Sequence, residues 1–131
     1  MTANLAEARE LLRMELVIRG FKATDDPTNK YLIRCSDSTT EFCVSFMPGN
    51  RRTVISHAVK VYPEHRGKGI GTRNCELRED AAAAAGVTLI LATVKDDNAA
   101  EIRVLEKRGW KRLTQNKITH CSLWGKQLEA K

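Results

Sequence analysis

Leu5, Ala8, Leu12 and Leu16 recur at the three- and four-residue spacing of a single helix face, and Asn4 stands three residues before Glu7 in a capping-box-like start. The pattern predicts an amphipathic helix over residues 4–19, closed by Gly20. The stretch Ala23-Thr24-Asp25-Asp26-Pro27-Thr28-Asn29 is dense in turn formers and reads as a loop. Three runs rich in β-branched and aromatic residues follow: Lys30 to Cys35, Glu41 to Met47 and Thr53 to Tyr62. The turn signals Ser36-Asp37-Ser38-Thr39 and Pro48-Gly49-Asn50 separate them, which predicts an antiparallel meander.

Pro63 ends the third run, a glycine-rich loop follows, and residues 71–85 turn helical, with an alanine run closing at Gly86. Val87 to Val94 is a continuous apolar run, as expected of a strand buried on both faces. A strand, helix, strand crossover of this length implies parallel pairing. Ala99, Ile102 and Leu105 share one face of a short helix over Ala99 to Lys107, punctuated by Gly109. Trp110 to Leu113 and Ile118 to Trp124 read as closing strands around the turn Thr114-Gln115-Asn116-Lys117. The order is helix, three strands, helix, strand, helix, two strands: an α/β (α+β) domain over residues 1–131 with a mixed sheet of about six strands.

The 131 residues, 42% hydrophobic and 29% charged, suit one folded core without disulfide or metal staples. No apolar run is long enough to cross a bilayer and the start has no secretory pattern, so a cytoplasmic protein with no membrane partner is expected. Cys35, Cys43, Cys75 and Cys121 lack a metal-ligand spacing, so reduced thiols and no bound metal are expected. The formal charge of +6 favours an anionic partner. Nucleic acid would satisfy that charge, but the basic residues are dispersed and aromatic residues amount to only 5%, so nothing further supports it. A polyphosphate cofactor would satisfy it as well.

The chemistry concentrates in Arg66-Gly67-Lys68-Gly69-Ile70-Gly71, between a strand and a helix. Successive main-chain N–H groups at a helix start form an anion cradle, and Gly69 and Gly71 let a diphosphate approach the backbone. Lys68 and Arg73 are placed to add positive charge. The register is not that of a dinucleotide-binding G-x-G-x-x-G turn, and no Gly-Lys-Ser/Thr follows as in a P-loop.

The segment from Val59 through Arg66-Gly67-Lys68-Gly69-Ile70-Gly71 to Thr72 closely resembles the first acetyl-CoA motif of the GNAT (GCN5-related N-acetyltransferase) family, Arg/Gln-x-x-Gly-x-Gly/Ala after a strand. Asn98 through Trp110 is similar to the same family's asparagine, small residue, helix and Gly-aromatic ending. The resemblance implies the GNAT fold, with helices on both faces of the mixed sheet, a splayed pair of parallel strands and, here, a shortened N-terminal part. It implies acetyl-CoA as co-substrate. The pantetheine arm would bond the main chain of Val59, Lys60 and Val61, the loop amides from Gly67 to Thr72 with Arg66 and Lys68 would take the pyrophosphate, and Asn98 would bond the arm near the thioester.

The family's usual proton-transfer groups are absent. The tyrosine expected seven residues after the asparagine is Leu105, and the places of a strand glutamate are held by Ile55 and Thr93. His57 is the best substitute base, since it alternates in step with Val59 and Val61 and titrates near neutrality. His65, His120, Tyr62 and Tyr31 are weaker candidates. Two functions follow: an N-acetyltransferase acting on a primary amine, such as a protein lysine or N-terminus, or an acetyl-CoA-binding sensor or interaction module with degenerate catalysis. Monomer and homodimer both remain open.

Overall fold

The computed structural model describes residues 4–129, the side chain of Ala58 excepted. Helix α1 (Leu5–Ile18) is capped by Asn4, whose side-chain oxygen accepts from the Glu7 amide at 2.9 Å while its amide donates to the Glu7 carboxylate at 3.0 Å. Leu12 and Leu16 are 1% exposed. Burial at about 1.5–3 kcal/mol per large aliphatic side chain is what holds a 14-residue helix, which in isolation would be marginal.

The strands are β1 (Lys22–Asp25), β2 (Leu32–Ser36), β3 (Thr40–Met47), β4 (Asn50–Val61), β5 (Leu89–Lys95), β6 (Lys111–Asn116) and β7 (Cys121–Gln127), with helices α2 (Ile70–Ala84) and α3 (Ala99–Lys107) in between. They form one sheet in the order β1-β2-β3-β4-β5-β7-β6, in which only β4 and β5 run parallel. That parallel pairing extends from Thr53↔Leu89 to Ser56↔Ala92 and stops there, although β4 continues to Val61 and β5 to Lys95. The two strands therefore part beyond Ser56, as a splayed pair must.

The sheet has seven strands rather than about six. The additional one, β1, overlaps the segment expected as a loop from Ala23 on: residues 22–25 pair with β2 from Lys22↔Ser36 to Asp25↔Ile33 and bury Ala23. The sheet edge thus overrides local turn propensity, and the turn itself begins only at Asp26, whose Oδ1 accepts from the amides of Thr28 and Asn29. The closing hairpin is shifted as well. Its turn falls at residues 117–120, because Asn116 accepts from the Ile118 and Thr119 amides, and Ile118 is a 91% exposed turn residue rather than a strand start.

Helices were expected on both faces, yet α1, α2 and α3 form one layer. α2 packs against α1 on one side and α3 on the other, all on the face where Phe42, Val44, Val54, Ile90 and Trp124 point. Strand alternation sends Cys43, Ser45, Ile55, His57 and Thr93 to the opposite face, where they are half-buried or exposed. Among the described residues no helix covers that face.

Beneath the helix layer α2 buries polar groups. Arg78 stacks over the Phe42 ring at 5.6 Å, and donates to Asn74 at 2.7 Å and to Ser56, while Asn74 donates to Thr40 at 3.0 Å. Glu79 accepts from the Trp110 indole at 2.9 Å, Arg108 at 2.9 Å and Lys126 at 2.6 Å. These bonds tie α2 to β3, β4, β7 and the end of α3, which fixes the helix whose N-terminus faces the cleft.

Candidate functional site: a cleft between the parting strands

Pro63 stops β4 and opens a single 3-10 turn, Pro63–His65, after which the chain reverses through Gly67 and Gly69, both at φ +77°. Left-handed backbone at these two positions is what glycine supplies without strain. Gly69 is the N-cap of α2; no side chain caps the helix and its first turn holds no acidic residue. The leading amides of α2 are thus left to an outside acceptor, and the helix dipole favours an anion there. A Cβ on Gly71 would stand 3.5 Å from Val104 and 3.9 Å from Val61, so at this point loop, strand and α3 close around one another.

A cavity of about 740 Å³ lies in the gap. The structure brings to its walls every residue expected to contact a cofactor except one: Val59, Lys60, Val61, Arg66, Gly67, Gly69, Ile70, Gly71, Thr72 and Asn98 line it, whereas Lys68 does not. Arg73, expected to add charge, pairs with Glu76 and does not line the cavity either. The positive charge comes instead from Arg66, whose Nε donates to the Val61 carbonyl at 3.0 Å, and from Arg103 and Lys107 on α3. Sequence reading missed the last two, although their four-residue spacing puts them on one helix face next to Val104, which touches Gly71.

The other part of the wall, at the start of α3, is not cationic. Asn98 caps α3 with its side-chain oxygen, which accepts from the Glu101 amide at 3.2 Å. Glu101 lines the cavity too, and burial pushes its carboxyl above the ordinary value against the lowering pull of Arg78. A carboxyl at this place was not anticipated; its position as the third residue after a helix cap was the available signal. Leu105 is fully buried, so no proton donor stands where the family tyrosine would.

His57 lies elsewhere than expected. The β3–β4 register jumps from Glu41↔Lys60 to Cys43↔His57, three residues of β4 against two of β3, and this bulge reverses the alternation. Val61 faces the helix layer with its register partner Thr40, while His57 faces the uncovered side with Cys43. There its Nε2 is 3.0 Å from the Ser45 hydroxyl. Burial, then the charge of Arg34, holds the imidazole below 6.5, so it is neutral at neutral pH. His65 lines the cleft, Tyr62 and Tyr31 are half-buried, and His120 sits at φ 58° in the exposed β6–β7 turn. Cys35 and Cys75 are buried thiols pushed up to about 12 by burial.

A family model described as the acetyltransferase (GNAT) family matches residues 9–110. The L-methionine sulfoximine/L-methionine sulfone acetyltransferase of Salmonella typhimurium is 34% identical over 59 residues, which is 45% of this chain and 34% of that protein. The matched region is thus about a third of the length of that curated relative. Among solved structures, yncA of Salmonella typhimurium, determined with its cofactor acetyl-CoA, superposes with a TM-score of 0.61 at 20% identity over 100% of this chain and 94% of that one. Nourseothricin acetyltransferase gives a TM-score of 0.61 at 17% identity over 82% of each chain. At these identities the structural likeness concerns the fold.

Proposed function

The chain belongs to the acetyltransferase (GNAT) family, and from that premise we propose that it transfers the acetyl group of acetyl-CoA to a primary amine. The observation that carries this reading is the electrostatic division of the cleft. Its loop end offers uncapped helix amides with Arg66, Arg103 and Lys107, whereas the start of α3 offers Asn98 and Glu101, and the strand wall offers main chain on which Lys60 is the one cation. A ligand that is anionic at one end and a neutral amide chain at the other fits that division, as the pyrophosphate and pantetheine of acetyl-CoA do.

In this reading the amides from Gly69 to Thr72 hold the diphosphate, the unpaired edge of Val59, Lys60 and Val61 bonds the pantetheine amides, and Asn98 borders the arm. The reaction joins the amine nitrogen to the thioester carbonyl carbon, breaks the C–S bond, releases CoA and sheds one amine proton. His57, neutral and on the uncovered side of β4, is the group proposed to accept that proton. The bare sheet face next to it supports an acceptor displayed on a larger molecule, such as a protein lysine or N-terminus.

Release of free CoA thiol from acetyl-CoA, followed with a panel of amines, lysine peptides and unblocked N-terminal peptides, tests the proposal. At least one class should accelerate release. If acetyl-CoA binds and none does, transfer is excluded and the chain is an acetyl-CoA-binding module, the outcome that Leu105 and the absence of a strand glutamate would then explain.

A further inference from the structure

A second cavity, of about 450 Å³, opens on the uncovered face over β1 to β4. Its lining includes Lys22, Arg34, Glu41 and Lys60, with the hydroxyl residues Thr24 and Ser36. Lys60 also lines the cofactor cleft, so the two cavities share one residue of β4, across the bulge from His57, which lines neither. One cavity lies on each side of the strand whose edge borders the gap.

Its charge is unbalanced. Three cations face one carboxylate, and counting Asp26, which backs Arg34, still leaves three against two. Arg34 is also held in place. Its Nε and Nη2 bond Asp26 Oδ2 at 3.0 and 2.8 Å, while its Nη1 lies 4.0 Å from the Cys43 sulfur, and the side chain remains 61% exposed. Asp26 is fixed in turn by the Thr28 hydroxyl and the amides of Thr28 and Asn29. A guanidinium anchored on one edge and open on the other is a preorganised carboxylate receptor.

Register places this receptor relative to the proposed base. Arg34 pairs with Cys43, and Cys43 pairs with His57, so the three form one row across β2, β3 and β4. Adjacent strands lie about 5 Å apart, so the Arg34 nitrogen above Cys43 is roughly one strand spacing from His57. An acceptor whose amine reaches His57 would place a group a few bonds away against Arg34, Lys22 and Lys60.

We propose that this second cavity is the acceptor pocket and that it selects an amine carrying a carboxylate a few bonds from its nitrogen. The inference rests on the acetyltransferase reading and narrows its acceptor. A free amino-acid-like molecule and a peptide with an acidic residue next to its amine share this chemistry.

The test compares matched pairs: free amino acids against their carboxamides, and N-terminal dipeptides carrying an acidic against an amide side chain, each scored by CoA thiol release. The carboxylate member should be favoured by about tenfold or more in kcat/KM, chiefly through KM. Whichever pair shows the larger preference identifies the source. Lys22→Glu, on the exposed edge strand, should remove the preference while leaving acetyl-CoA affinity unchanged. Equal use of acid and amide, or a preference untouched by Lys22→Glu, overturns the pocket even where acetyl transfer is intact. If no amine is acetylated, calorimetric binding of the same pairs decides: a carboxylate preference lost in Lys22→Glu upholds the pocket while transfer fails, and no preference sinks it.

Discussion

Gly71 has room for a side chain, since a Cβ there would meet Val104 and Val61 at ordinary contact distance and its backbone is not left-handed. Gly71→Asp should therefore fold, yet it sets a carboxylate at the anion cradle; two like charges near 4 Å cost about 4 kcal/mol at partly screened sites, so acetyl-CoA affinity should fall by roughly two to three orders of magnitude. Calorimetric titration beside a thermal melt separates that loss from unfolding. His57 gives the second residue-scale prediction. Because burial and Arg34 hold its pKa below 6.5, a rate that needs the neutral imidazole should be flat above that pH and fall on acidification, and His57→Gln should remove this acid limb from the kcat/KM profile. The glycines were legible because a left-handed turn before a helix leaves a mark in the residue types themselves. The side on which His57 stands was not, since a bulge adds one residue to one strand and leaves no pattern in either. Arg103 and Lys107 escaped for a different reason: their role depends on how α3 lies against the loop, which only tertiary packing decides.

Helix α2 is unusual in turning asparagine, arginine and glutamate toward the interior, and Glu79 is the joint on which this depends. Burial alone would raise its carboxyl, but the donors Arg108, Lys126, Trp110 and Cys75 outweigh it and hold it below the ordinary 4.5. With the folded value depressed, the contribution is complete above pH 4.5 and is lost as pH falls through the folded value. Glu79→Ala leaves Arg108 and Lys126 without their shared carboxylate and should cost about 3–5 kcal/mol at neutral pH by urea denaturation. Glu79→Gln should be less stable than the native chain at pH 7 by a margin that narrows on acidification; a constant margin would show that the carboxylate charge is not what matters. The same element-level view explains what the pattern could convey. α1 and α3 were readable because each keeps its apolar period over nine residues or more, and α2 because an alanine run closes the segment that follows the glycine loop. β1, at four residues, was hidden under turn formers until β2 offered it a ladder, and Ile118 looked like a strand residue although the Asn116 side chain makes it part of a turn.

Burial along β3 alternates between two faces, but alternation cannot say what covers each face, and the arrangement of all three helices in one layer emerges only from their mutual packing. That arrangement gives the molecule two working sides, a cofactor cleft bordered by α2 and α3 and an open sheet surface beyond β4, with the formal charge of +6 acting on both. In the cleft the charge sits on exposed Arg66, Arg103 and Lys107, whereas the helix amides and strand edge act at contact distance. Only the former is screened by salt. Raising ionic strength from about 0.01 to 1 M shortens the Debye length from ~30 to ~3 Å, so acetyl-CoA affinity should weaken by about tenfold or more and then level off at the contribution of the uncharged contacts. Arg103→Gln with Lys107→Gln should lower affinity at low salt and flatten the salt dependence, converging on the native value at high salt. Desulfo-CoA, which keeps the phosphates, should follow the native slope, and pantetheine, which lacks them, should show none. A slope left unchanged by the double substitution would place the anion-binding charge elsewhere on the molecule and remove α3 from the diphosphate site.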